Sequence, residues 1–120
     1  MAKNEFENAL NYLNKTLEID PTYSIAWFNI GNIYKQTNEY NKAIESYTKA
    51  TELNPDFAKA WFLIGCAYFD KKDYHQTLEY LEKAIKLDPN LAKDVNPLLK
   101  DLKVTIDKLQ EVLSMFFINR

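Results

Sequence analysis

Trp27-Phe28-Asn29-Ile30-Gly31-Asn32-Ile33-Tyr34 returns as Trp61-Phe62-Leu63-Ile64-Gly65-Cys66-Ala67-Tyr68, thirty-four residues later. The same step carries Ala50 to Ala84, Leu53 to Leu87, and Pro21 to Pro55 to Pro89. A fixed step of this length marks one supersecondary unit, repeated and stacked. Gly31 and Gly65 both fall inside strongly helical patterns, where glycine costs roughly 1 kcal/mol against alanine. Both units accept that cost at the same place, which points to close approach of a neighbouring helix.

Outward from this stretch, the pattern resolves into helices. Phe6, Ala9, Leu10, Leu13 and Leu17 recur at helical spacing and predict a helix over 4–19. Asp20-Pro21 ends it, because a residue before proline is pushed out of helical geometry. Thr22 is placed to cap the next helix, which should end near Thr37-Asn38, asparagine tolerating the left-handed backbone. A second helix runs from about Glu39 to Leu53 with the stripe Tyr40, Ala43, Ile44, Tyr47 and Ala50. The next unit repeats this over 56–71 and 74–87, and Asp73 with Gln76 has the spacing of a capping box. Pairs such as Glu45–Lys49 and Glu79–Lys83 read as ordinary exposed helix pairs.

The unit resembles the tetratricopeptide repeat, a helix-turn-helix with the pattern Trp-x2-Leu-Gly-x2-Tyr, then Ala, an aromatic residue, Ala and Pro. Residues 22–55 supply Trp27, Ile30, Gly31, Tyr34, Ala43, Tyr47, Ala50 and Pro55. Residues 56–89 supply Trp61, Ile64, Gly65, Tyr68, Ala84 and Pro89, departing at Thr77 and Leu81. In residues 4–21, Phe6, Ala9, Leu13 and Pro21 fit the register of a second helix without its first. The expected fold is a single all-α domain: one half repeat, two full repeats, and a long capping helix over 90–118.

That last helix departs from the pattern. Val95 stands where Trp should be and Leu99 where Gly should be. Asn96-Pro97 reads as its start signal, and a start as early as Asn90 should leave Pro97 as a kink. Its stripe Leu99, Leu102, Ile106, Leu109, Leu113, Phe116 has the alternating spacing of a heptad seam. The near end caps the array, as repeat arrays require. The far end finishes in the apolar cluster Met115-Phe116-Phe117-Ile118.

Composition narrows the chemistry. The 120 residues carry a formal charge of -2, with 47% hydrophobic and 27% charged residues, a balance that favours no nucleic acid. The longest apolar run, 60–69, is about half a membrane span. The polar N-terminus has no secretory look, so the expected location is cytoplasmic. One histidine and one cysteine are too few for a transition-metal site, so no metal or cofactor is expected. His75 reads as a solvated surface residue. No base lies at a recognisable spacing from Cys66, and no glycine-rich loop could cradle a phosphate. The chain reads as no enzyme.

In a two-helix array the first helices line a concave surface. Resemblance to peptide-binding members of the family places Ile25, Phe28, Asn29, Asn32 and Gln36 on it from the first unit. Lys59, Phe62, Leu63, Cys66 and Phe69 join them from the second. The expected partner is a peptide or amphipathic helix of another protein. Some relatives clamp acidic C-terminal peptides with Lys, Asn and Arg. Here Asn29 and Lys59 fall on clamp positions, but Leu63 stands where a basic residue is needed. One repeat later Asn32 and Lys93 match, while Phe28, Leu63 and Pro97 do not. A second reading is self-assembly. In it Phe6, Leu10 and Leu13 of one chain bury Leu109, Leu113, Phe116 and Phe117 of another.

Overall fold

The computed structural model describes residues 3–118, with side chains described through Met115. Among these residues it holds six α-helices and no strand: α1 (Lys3–Ile19), α2 (Ser24–Gln36), α3 (Tyr40–Leu53), α4 (Ala58–Asp70), α5 (Tyr74–Leu87) and α6 (Ala92–Ile118). A 3-10 turn, Pro89–Leu91, precedes α6. The body measures 60 × 31 × 22 Å. Each helix packs on the next, and three apolar clusters follow one another along the stack.

The two full units are built by the same devices. The indole N–H of Trp27 donates to the Pro21 carbonyl at 3.3 Å, and that of Trp61 to the Pro55 carbonyl at 2.9 Å. Each tryptophan thereby ties its helix back to the loop that introduces it. Gly31 and Gly65 are buried, and each faces the second helix of its own unit. A methyl group on Gly31 would come within 2.6 Å of the Tyr47 ring, and one on Gly65 within 2.9 Å of Leu81. Ordinary carbon contacts lie near 3.5–4.0 Å, so the absent side chain is what lets the hairpin close.

The turns between helices match as well. Asn38 and Lys72, thirty-four apart, both take the left-handed conformation, with φ of 61° and 65°. Behind them Glu39 N–H reaches the Tyr34 carbonyl at 2.8 Å, and Asp73 N–H the Tyr68 carbonyl at 2.9 Å. These bonds satisfy carbonyls that the helix end leaves open. Asn38 fits this place; Lys72 tolerates it at a cost.

The central cluster joins the units: Ala43 and Tyr47 of α3 with Ile64 of α4, edged by Phe28, Trp61 and Tyr80. Leu17 of α1 meets Ala26 and Ile30 of α2 in the cluster before it. Thr77, in place of the first alanine of α3, is fully buried and donates its hydroxyl to the Asp73 carbonyl at 2.8 Å. Its polar atom is therefore satisfied inside the core.

Several local expectations are corrected. Thr22 does not cap α2. Its backbone N–H and hydroxyl both donate to the Asp20 carboxylate, at 3.0 and 2.7 Å, and Tyr23 precedes the helix with no side-chain cap. The nearer carboxylate outcompetes the helix for the hydroxyl. The first helix of the second unit is shorter than 56–71, running Ala58–Asp70. Asp73 does cap α5, accepting from Gln76 N–H at 3.4 Å. Neither Glu45–Lys49 nor Glu79–Lys83 pairs. The ion pairs among the described residues are Glu39–Lys42 and Lys49–Glu52, while the Lys83 ammonium sits 5.0 Å from the Trp61 ring centre.

The last helix starts at Ala92, inside the expected 90–96 stretch and ahead of the Asn96-Pro97 signal, leaving Pro97 within it. The Asp88 carboxylate accepts from Asn90 N–H at 3.0 Å and starts the winding early. Extending the helix back also buries Val95 completely beside Leu81 and Leu102. That burial offsets the bond Pro97 cannot make to the Lys93 carbonyl. The face of α6 differs from that of α4. Ala60 and Ala67 are fully buried in α4, yet Asp94 and Asp101, one repeat on, are exposed. Val95, Leu99, Leu102 and Ile106 are buried instead, so α6 is turned by about one residue step, ~100°.

Candidate functional site

The candidate surface is the face of α2 and α4 that the repeat register assigns to the inside of the array. Ile25, Asn29, Gln36, Lys59 and Phe69 are exposed on it. Phe28, Asn32, Phe62, Leu63 and Cys66 are half-buried. The two groups have different roles in the fold. Phe28 lies tilted against Phe57 at 4.7 Å and against Tyr47 at 5.7 Å, centre to centre. Phe62 packs in the cluster of Leu81, Val95, Leu99 and Leu102, and Leu63 in that of Tyr47 and Ile64. These three side chains are walls already held by the core. Ile25 and Phe69 are free to touch something else, although Phe69 leans toward Tyr74 at 6.0 Å.

One polar point stands among them. The Tyr47 hydroxyl donates to Asn32 Oδ1 at 2.6 Å. Burial pushes that hydroxyl well above its ordinary pKa, and the nearby Cys66 adds to it, so Tyr47 stays a donor. With its oxygen engaged, the Asn32 carboxamide has its NH2 left to offer. Burial also pushes the Cys66 thiol up; Lys35 opposes this and Asp70 adds to it. A thiol so raised is a poor nucleophile. Among the described residues no group of His, Cys, Asp and Glu could hold a metal ion, and no helix is long and apolar enough to cross a membrane.

Sequence spacing missed α1 as part of this surface. Ile25 and Asn29 border an open cavity of about 380 Å³ together with Tyr12, Leu13, Thr16 and Ile19 of α1. It also missed Phe57, Lys35 and Asp70. Phe57 lies thirty-four residues after Tyr23, a periodic signal that could have drawn attention to it. On the proposed assembly residues, Leu10 and Leu13 pack beside Leu17 and Ala26 within the chain, and Phe6 is half-buried. Leu109 and Leu113 are more than half exposed, at 52% and 55%. The side chains of Phe116 and Phe117 lie outside the described residues. Of the clamp positions, Lys59 and Lys93 are exposed and Leu63 is half-buried.

Paired antiparallel helices, a buried glycine in each first helix and a tryptophan tied to the preceding loop define a helical-hairpin repeat array. Family models described as tetratricopeptide repeat match residues 12–45 and 58–91, and one described as TPR repeat matches 31–71. Together they run without a gap from 12 to 91, and the chain belongs to the tetratricopeptide-repeat family. Among solved structures, it is similar to the Sgt2 TPR domain from Aspergillus fumigatus, at 29% identity and TM-score 0.79, over 92% of this chain and 74% of that one. It is also similar to MamA, at 30% identity and TM-score 0.69, over 74% of this chain and 52% of that one. The chain thus spans about half the length of the MamA chains it matches. The first TPR of Spaghetti (RPAP3), bound to the HSP90 peptide SRMEEVD, shares the fold at 20% identity and TM-score 0.78, over 88% of this chain and 82% of that one. A search among curated proteins finds no match.

Proposed function

We propose that the chain is a non-catalytic interaction module that holds a peptide or amphipathic helix of another protein against α2 and α4. The observation that carries this is the pair of exposed apolar side chains on these helices, Ile25 and Phe69, with an open cavity beside Ile25 that reaches α1. Ile25 is 48% exposed and Phe69 37%, and the half-buried Phe28, Leu63 and Cys66 accompany them on the same two helices. Apolar side chains held this way suit the apolar face of a docked helix. The Asn32 NH2 would meet a carbonyl or carboxylate of the bound segment. Basic residues are too few at the clamp positions for an acidic tail to be the main contact.

Replacing Ile25 and Phe69 together by glutamate tests this, because both side chains are exposed and the fold should not suffer. Whole-cell extracts passed over immobilised wild type should yield a partner that the double variant fails to retain, with helicity by circular dichroism unchanged. Equal recovery by both proteins would overturn the reading. A free acidic peptide such as SRMEEVD should bind weakly, and Lys59→Ala should leave that binding unchanged. Tight binding abolished by Lys59→Ala would restore the clamp.

A further inference from the structure

The seam of α6 is satisfied in its first half and open in its second. Leu99 and Leu102 are buried in a cluster edged by Tyr74, Leu78 and Ile85 of α5, and Ile106 is buried next along the seam. Beyond Ile106 the seam continues at the same spacing through Leu109, Val112 and Leu113, all 52–63% exposed. Helix α5 begins at Tyr74, so α6 has outrun its partner. Between this free end and the α4–α5 turn lies a cavity of about 560 Å³, walled by Tyr74 and His75 on one side and Leu109 and Leu113 on the other.

We infer that the free end of α6 pairs with the free end of α6 in a second copy of this chain. This goes beyond the groove reading and does not depend on it. Helical spacing favours a helix as occupant. The flanks of the ridge, Thr105 and Gln110, are neutral and Asp107 and Glu111 fall on the opposite side of the helix, with Lys108 one turn before Val112 at the ridge's edge. The ridge itself therefore sets no charge against its copy, while Lys71, Lys72 and Asp73 line the cavity beside it. The half repeat at the other end is a poorer match. Its exposed apolar side chains, Tyr12 and Ile19, stand two turns apart with Lys15 and Thr16 between them. Nor can α6 serve as the missing first helix of that half repeat. Leu99 occupies the glycine position, and the face that would meet α1 is already buried on α5. A two-fold pairing of one short ridge buries less than the roughly 1,200–2,000 Å² of stable complexes, so the dimer is weak.

Light scattering on the full chain after size exclusion tests this, from about 10 μM to about 1 mM, the range in which contacts worth about 4–7 kcal/mol assemble. The mass should double across the range for wild type and for Tyr12→Glu with Ile19→Glu. It should stay monomeric for Leu109→Glu with Leu113→Glu. The milder Leu109→Gln with Leu113→Gln, checked by circular dichroism, replaces that variant if the glutamates unwind the helix. A wild type monomeric throughout would overturn the proposal. So would a dimer that survives the α6 changes, or one that the α1 changes dissolve.

Discussion

Opposite Gly31 stands the ring of Tyr47; opposite Gly65 stands the side chain of Leu81. The backbones around these pairs are close copies, down to a left-handed residue in the following turn. What differs is how each unit fills the space and whether it keeps a polar contact. The first unit places a stiff, fully buried ring there, and its hydroxyl reaches Asn32. The second places a branched aliphatic side chain, with Cys66 where Asn32 would be. The repeated backbone geometry therefore rests on the glycine and on bulk opposite it, not on aromaticity. The polar contact is an addition that only one unit carries, on the face proposed to bind.

Truncating the filler breaks the comparison most severely. Tyr47→Ala should destabilise by about 4 kcal/mol and Leu81→Ala by about 3 kcal/mol in urea unfolding, since both leave cavities in the core. Equal and small losses would mean the stack does not depend on these contacts.

The turns give the next effect, in the opposite direction. Lys72→Gly should stabilise by roughly 1 kcal/mol, because it relieves a left-handed lysine. Asn38→Gly should gain far less, since asparagine already suits that backbone. Thermal unfolding of the two variants side by side reads the difference.

Tyr47→Phe removes only the hydroxyl and should cost about 1 kcal/mol. Its signature is a changed Asn32 side-chain amide resonance in NMR, while the aromatic packing with Phe28 persists. The smallest effect is acid sensitivity at the first unit. Thr22 holds the Asp20 carboxyl below its ordinary pKa, and Thr37 followed by Lys42 does the same for Glu39. A lowered folded value adds stability above the unfolded pKa of about 4 and loses it as pH falls through the folded value. Asp20→Asn should flatten the pH dependence slightly below pH ~4. Asn54, which replaces Asp20 at the next boundary, has no proton to gain.

Much of this fold was legible in the chain because it depends on spacing. The step from Trp27 to Trp61 located both hairpins, both glycines and the closing prolines. Asn38 and the Asp73–Gln76 cap were also readable, being local choices with few competitors. The misreadings came where two local interactions compete. Thr22 had both a helix end and the Asp20 carboxylate within reach. The start of α6 was readable only as a range, 90–96, because the choice of Ala92 follows burial of Val95 and so tertiary packing. Lys72 carries no residue-type signal for its conformation; only its register with Asn38 reveals it. On the candidate surface, the register named positions along α2 and α4 but not depth. That Phe28 leans on Phe57, and that α1 walls the cavity beside Ile25, follow from how helices cross.

A double-mutant cycle at the first glycine tests the shared architecture most directly. Gly31→Ala should cost about 2 kcal/mol, as the new methyl strikes a ring with no room to turn. In a Tyr47→Leu background the same change should cost under about 1 kcal/mol, matching Gly65→Ala opposite Leu81. A cost for Gly31→Ala that is the same in both backgrounds would contradict the account.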